Sequence, residues 1–300
     1  MKITVIGESN IDIAVKRHGD FLHGGCTPAE IGFHHGGVAR NIAHNLSLLG
    51  LEVRLMTVFG GDAFATQMVT DCRNHGIDLS LSTHFVHEKS PIFLSFNDED
   101  GNMQSAVSDI GLNRRMDLDW LKGKMEEVNR SGLVVADTLL SIEALSHLID
   151  SCEVPLFIDT VSPKRAMLLS EAMAASRKKS VSVLKCNQAE AIALTGRNDM
   201  TEATKALNDN GIKEVFVTLG EKGILYGSNG EALHFNAPPA HVVDVVGAGD
   251  AFLAGIVYAK TLGMNGIASI QYGLQAAKSA LESPNPCNDQ IAGYLEGIKR

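Results

Sequence analysis

A repeated rhythm narrows the fold more than any other feature: short apolar runs, each ending in a polar or flexible residue and most followed by a helical pattern. Residues 2–7 form a β-rich run ending in Gly7, and Val53 to Val58 form another, followed by a helix from Asp62 to His75 that Gly76 closes. Further on, Leu133 to Ala136 runs into Asp137, Leu156 to Ile158 into Asp159, and Val181 to Leu184 into Lys185-Cys186-Asn187. Strands alternating with helices specify a parallel sheet covered by helices, an α/β class. Ligands of such sheets gather at the carboxyl ends of the strands, so polar residues recurring there point to one shared cleft.

The rhythm breaks once. Leu79 to His87, Ile92 to Phe96 and Met103 to Val107 are short alternating runs, and Asn97 to Asn102 reads as a hairpin loop joining the last two. With the strand around Ile31 they predict a small antiparallel sheet inserted into the βα series, placed as a lid over the ligand. No internal repeat or linker marks a second domain, so residues 1–300 read as one domain, with the lid drawn from about 12–35 and 83–109.

Composition excludes several functions. The chain has 300 residues, 45% of them hydrophobic, which suffices for a large core. A net charge of -9 without a dense Lys/Arg block leaves no nucleic-acid footprint. No apolar run approaches the ~20 residues that span a bilayer, and the first residues read as a strand rather than a signal peptide, so a cytoplasmic location is expected. Cys26, Cys72, Cys152, Cys186 and Cys287 are scattered and never form C-x-x-C, which indicates neither a disulfide framework nor a zinc site. His34 and His35 are neighbours in a strand and point to opposite faces, so they chelate poorly.

The chemistry concentrates in Asp244-Val245-Val246-Gly247-Ala248-Gly249-Asp250-Ala251. A β-branched run (Val242, Val243, Val245, Val246) passes through two glycines into an apolar helix, which predicts a strand feeding a helix through a tight turn. Such a turn aims unpaired amides and a positive helix end at an anion, for instance a transferring phosphoryl group. Asp250 in the first helical turn would accept a hydroxyl proton while those amides hold the developing charge.

Other pieces fit around it. Asn10 and Asp12, two apart in an extended segment, share a face and suit vicinal hydroxyls. Gly36-Gly37 opens a helix with apolar residues at Val38, Ile42, Leu46 and Leu49, closed by Gly50, and places Asn41 in its first turn. Arg40 beside it reads either as a ligand contact or as a solvated surface residue. Asn187 and Glu190 read as a capping box or as holders of a nucleotide's phosphate and Mg²⁺. Thr218 and Gly220, with Lys222 as countercharge, would let a phosphate approach the backbone.

Taken in order, these motifs resemble the ribokinase-like, or PfkB, family of sugar and nucleoside kinases along essentially the whole chain. Gly36-Gly37 with Asn41, Ala43, Asn45 and Gly50 is similar to its first signature, and Asp244 to Gly255 to its second. The resemblance implies a three-layer α/β/α sandwich with a β-sheet lid, and ATP- and Mg²⁺-dependent phosphorylation of a primary hydroxyl, here the 5′-hydroxyl of a ribosyl substrate. It implies Asp250 as base, the Gly247, Ala248 and Gly249 amides as anion hole, and Asn10, Asp12, Gly37 and Asn41 at the sugar. It further implies Glu190 reaching Mg²⁺ through water, Asp244 beside a monovalent cation such as K⁺, and dimers formed through the lid. In the family that cation site draws heavily on backbone carbonyls, but Val245 and Val246 stand where the family usually has threonine, a departure that leaves K⁺ activation an open question. Phe33 to Asn45, Val135-Ala136-Asp137 and Phe157-Ile158-Asp159-x-Val161-Ser162-x-x-Arg165 look most like a nucleoside-kinase subgroup. There Asp109, Asp137 and Lys164 would add base or ribose contacts, while Leu139 replaces an expected Asn. The alternatives are a ribokinase or other nucleoside kinase, or a non-catalytic nucleoside-binding regulator on the same fold.

Overall fold

The computed structural model describes residues 1–20, 24–99 and 103–298. Its strands are β1 (Ile3–Ile6), β2 (Asn10–Arg17), β3 (Ala29–Gly36), β4 (Val53–Met56), β5 (Val58–Phe59), β6 (Thr83–His84) and β7 (Ile92–Asn97). They continue with β8 (Met103–Asp109), β9 (Leu133–Asp137), β10 (Leu156–Asp159), β11 (Val181–Asn187), β12 (Ile212–Thr218), β13 (Ile224–Ser228) and β14 (Glu231–Phe235). The helices are α1 (Val38–Leu48), α2 (Ala63–Asn74), α3 (Leu118–Lys122), α4 (Met125–Asn129), α5 (Ile142–Ser151) and α6 (Pro163–Ala175). After them come α7 (Gln188–Thr195), α8 (Met200–Asp209), α9 (Ala248–Thr261), α10 (Gly266–Leu281) and α11 (Ile291–Glu296).

Eight strands form one sheet in the order β14-β13-β12-β11-β10-β9-β1-β4. From β4 to β12 all neighbours are parallel, and β13 and β14 finish one edge antiparallel. The central strands are apolar throughout because helices cover both faces. Val5, Val135, Phe157 and Val183 pack on the side of α1, α2, α9 and α10, while Ile6, Ala136, Ile158 and Leu184 pack against α3 to α8. The result is the three-layer α/β/α sandwich expected. From β1 the chain adds β4 on one side, then returns to add β9 on the other, so the strand order switches between β1 and β9. A crevice at the carboxyl ends of the strands opens at such a switch.

A second sheet, β3-β2-β7-β8, rises from that edge. It departs from the expected antiparallel sheet in two ways. β2 leaves β1 directly and lies between β3 and β7, and it pairs parallel with β7, which makes the sheet mixed. The run around Thr83 does not join it, because β6 pairs in parallel with β5 instead. Positions 100–102 of the expected hairpin loop lie outside the described residues. The register places Phe33, Ile13, Leu94 and Val107 in one row and Ile31, Val15 and Phe96 in the next, so one face is apolar. The opposite face carries Asp12, His34 and Ser108.

The expected strand before Gly247 does not form. β14 ends at Phe235, and Val242, Val243, Val245 and Val246 are 55%, 53%, 69% and 48% exposed. Here the chain docks on a helix end instead of a sheet: the Val243 amide donates to the Leu281 carbonyl at the end of α10 at 2.8 Å. The start of α1 depends on Gly37, whose φ is +96°. A Cβ there would lie 2.5 Å from the Glu8 carbonyl oxygen, so only glycine lets α1 seat against the β1–β2 turn. No helix among the described residues is long and apolar enough to cross a membrane.

Candidate active site

At the carboxyl edge of the large sheet, α9 begins on Gly247, which is left-handed at φ +80° and would bring a Cβ within 2.2 Å of the Pro286 carbonyl oxygen. Ala248 and Gly249 form the first turn, and Asp250 in the same turn is only 8% exposed. Asn41 Nδ2 donates to Asp250 Oδ2 at 2.8 Å, tying α1 to α9 across 209 residues of sequence. Asn41 is itself oriented, since Arg40 Nη1 donates to its Oδ1 at 3.2 Å. Arg40 is 4% exposed, pairs through Nη2 with Asp71, and donates to the His35 carbonyl at 3.0 Å. It is thus buried rather than a solvated surface residue, and it orients Asn41.

Behind α9 lies a charged group that sequence reasoning did not single out. Lys185 Nζ is 2.9 Å from Asp159 Oδ2, and both residues are buried. A Cβ on Gly249 would lie 2.7 Å from Lys185 Nζ, which sets the ammonium against the start of α9. Burial works against the charge on Lys185, but Asp159, Glu190 and Asp250 outweigh it and hold the ammonium above the usual lysine range. Burial is also the largest influence on Asp250 and, with the nearby Asp159 charge, pushes its carboxyl up to about 7 against the opposing pull of Lys185 and Asn41. Asp159 closes a tight turn by accepting from the Val161 amide at 2.9 Å. Val161 sits at φ +61°, a strained state for a β-branched residue that costs about 1–3 kcal/mol. A lysine inside an otherwise apolar strand run was the signal available in the sequence.

At the β1/β9 switch, Asn10 Nδ2 donates to Asp12 Oδ1 at 2.6 Å, so the pair shares a face as its spacing predicts. Gly36 makes room for it, because a Cβ there would lie 2.1 Å from Asp12 Oδ2. Asp137 is buried and accepts from the Glu8 amide at 2.7 Å and the Leu139 amide at 2.9 Å. Each of its oxygens accepts one backbone amide, which fixes the carboxyl at the crevice floor. Glu8 accepts from Asn113 Nδ2 at 2.7 Å, and its carboxyl, raised chiefly by burial, also feels the charges of Asp12 and Arg165. Asp109, Lys164 and Lys222 are exposed. Asp109 lies at the end of edge strand β8 and accepts from the Gly111 amide at 3.2 Å. Lys164 is the second residue of α6, and it is Arg165 beside it that acts on Glu8.

On the other side of Lys185, Asn187 caps α7 and Glu190 completes a capping box. Glu190 Oε2 accepts from the Asn187 amide at 2.8 Å and the Thr160 hydroxyl at 2.7 Å, and Oε1 from Asn187 Nδ2 at 2.8 Å. One acceptor direction remains on Oε1, which fits a metal-bound water better than direct coordination. Thr218 is paired in register with Asn187 at the adjoining end of β12, and Gly220, at φ +62°, opens the turn beyond it. Asp244 Oδ1 accepts from the Val246 amide at 3.0 Å. The arrangement therefore lines up a carboxylate able to accept a proton, a buried ammonium, a helix N-terminus and a second polar lobe along one edge.

The profile of the pfkB family carbohydrate kinases matches residues 1–292. The chain belongs to the pfkB family. It is similar to the pseudouridine kinase of Escherichia coli (strain K12), with 29% identity over 97% of this chain and 93% of that one. It is also similar to an uncharacterized sugar kinase of the same organism, with 30% identity over 85% of this chain and 71% of the other. Among solved structures, the ribokinase of Thermotoga maritima matches with a TM-score of 0.86 at 21% identity, covering 98% of this chain and 99% of that one. The fold is ribokinase-like, and this pfkB protein is a phosphotransferase, a sugar or nucleoside kinase that uses ATP.

The raised Asp250 carboxyl makes a stability prediction. A carboxyl lifted from 3.8 to about 7 by folding stabilises the fold below pH 3.8, and that contribution is lost as pH rises through about 7. Asp250→Asn keeps an acceptor for Asn41 and removes this loss. In thermal melts, its Tm relative to wild type should rise by ~2 °C or more between pH 5 and pH 8. A Tm difference independent of pH would contradict the assignment.

Proposed function

We propose that this pfkB kinase transfers the γ-phosphoryl group of ATP to the 5′-hydroxyl of pseudouridine, giving pseudouridine 5′-phosphate. The observation that carries the catalytic part is Asp250, buried in the first turn of α9, tied to Asn41 and flanked by Lys185 at Gly249. The likeness to the Escherichia coli pseudouridine kinase supports the substrate, together with the subgroup-like stretches Phe33 to Asn45 and Phe157 to Arg165.

In this reading Asn10, Asp12, Gly36 and Gly37 hold the ribosyl hydroxyls, and Asn41 occupies Asp250 Oδ2 so that Oδ1 accepts the 5′-hydroxyl proton. The Gly247, Ala248 and Gly249 amides and the Lys185 ammonium stabilise charge on the transferring group. Phosphoryl transfer has a loose transition state, so this positioning and charge matter more than the strength of the base. Asn187, Thr218 and Gly220 line the nucleotide's side, with Lys222 as an outer countercharge. Glu190 would hold Mg²⁺ through water, and the ion would supply neutralisation of phosphate charge. The small sheet acts as a lid that turns its polar face, with Asp12, to the substrate and excludes water. Its apolar face, with Ile31 57% exposed, Phe33 60% and Val107 59%, is where a second copy would dock.

With ATP and a panel of pseudouridine, uridine, adenosine, ribose and ketodeoxygluconate, kcat/KM should favour pseudouridine by ~10-fold or more. Preference for ribose or adenosine would replace the proposed substrate, and tight nucleoside binding with no turnover of any substrate would indicate a regulator. Asp250→Asn should lower kcat by ~100-fold or more while remaining folded; wild-type turnover would remove the assigned role. Sedimentation equilibrium should show a dimer that Phe33→Glu dissociates, and a monomer at all concentrations would rule out pairing through this face.

A further inference from the structure

Away from the strand ends, α1 and α2 enclose a second polar cluster, which shares Asp71 with the contacts that orient Asn41 but makes no contact of its own with Asp250. His44 on α1 is 6% exposed, and neither of its ring nitrogens has a hydrogen-bond partner. Native proteins rarely leave a buried imidazole wholly unpaired, so such a group calls for a ligand. The ring faces His75 with centroids 3.9 Å apart and planes tilted by 52°. Asp71 and His75, four residues apart where α2 ends, bring Asp71 Oδ1 to 3.6 Å from His75 Nδ1, which donates to the Asp71 main-chain carbonyl at 2.9 Å and would give up that bond to bind a metal through Nδ1. One donor atom from each of His44, Asp71 and His75 lies within 4.8 Å of the other two.

We propose that His44, Asp71 and His75 form a binding site for a divalent transition-metal ion of the Zn²⁺ class. Two imidazoles and one carboxylate are the donors such ions prefer, whereas Mg²⁺ selects oxygen, so this ion is distinct from any metal carried by ATP. Bonds of ~2.0–2.2 Å to a tetrahedral ion set donor atoms roughly 3.5 Å apart and two imidazole centroids roughly 5 Å apart, so filling the site brings the donor atoms together while the His44 and His75 rings, now 3.9 Å apart, swing open. Three protein donors leave a fourth position for water. The His75 side chain is 29% exposed and provides the way in. The opposing influence is Arg40, whose guanidinium is nearby. It pairs with Asp71 through Oδ2, as does His35 Nδ1 at 3.4 Å, which leaves Oδ1 on the His75 side for the metal. The sequence drew attention to His34-His35, but the fold assembles its histidine site from α1 and α2 instead.

The test is to titrate Zn²⁺ into the chelator-treated full-length protein by calorimetry, and Co²⁺ by visible absorption, without nucleotide or nucleoside. Wild type should take up about one equivalent of Zn²⁺ and develop the intense visible bands of four-coordinate Co²⁺. His75→Ala and His44→Ala should each weaken binding by at least ~10-fold, while His87→Ala on the exposed surface should bind as wild type. His75 is only half-buried, so its variant keeps the test decisive should His44→Ala fail to fold. No saturable uptake by wild type, or uptake that survives His75→Ala, would overturn the proposal. The readout needs no phosphotransfer, so it stands or falls apart from the proposed substrate.

Discussion

One buried ammonium sets the electrostatics of the molecule's working edge. Lys185 lies among Asp159, Glu190 and Asp250, three carboxyl groups of which only Asp159 pairs with it directly, at 2.9 Å. One positive charge cannot neutralise three negative ones out of water, and breaking such a pair from one side would cost about 3–5 kcal/mol. The excess is absorbed in two ways. Glu190 is wrapped by donors from Asn187 and Thr160, and Asp250 keeps a proton up to about pH 7. The high pKa of Asp250 is thus a consequence of how β10, β11 and α9 converge.

A second chain of contacts fixes where that carboxyl points. Asp71 on α2 holds Arg40 on α1, Arg40 holds the Asn41 carbonyl, and the Asn41 amide donates to Asp250. With its oxygen bound to Arg40, Asn41 can present only its NH₂ group to α9, which removes the ambiguity of an amide that could flip. Gly37 and Gly36 make this possible, the first by letting α1 seat on the Glu8 carbonyl and the second by leaving space for Asp12. The two glycines thus join strand β2, which carries Asp12, to the helix that orients Asp250.

Much of this was legible in the chain. The βα rhythm predicted the parallel sheet, and the Asn187/Glu190 spacing offered, as one of its two readings, the capping box that α7 carries. What was not legible involved non-local partners. Val242 to Val246 carry strand propensity, yet hydrogen bonding to the end of α10 decides their course, because β propensity has force only where a neighbouring strand is available. The short Thr83 strand went to β5 for a similar reason: alternation indicates a strand but not its partner. Arg40 looked like a surface residue or a ligand contact because Asp71, its partner, is 31 residues away. Lys185 was passed over because a charge in an apolar strand is interpretable only once Asp159 is seen beside it.

The central claim is that Asp250, poised near neutrality by its buried surroundings, takes the hydroxyl proton during transfer. The most direct measurement is the pH dependence of kcat/KM for pseudouridine and ATP, both subsaturating, so that it reports the free enzyme. With Asp250 titrating at about 7, the rate should be level above that pH and fall by about tenfold per unit well below it. A rate unchanged from about pH 5.5 to about pH 8 would contradict the account.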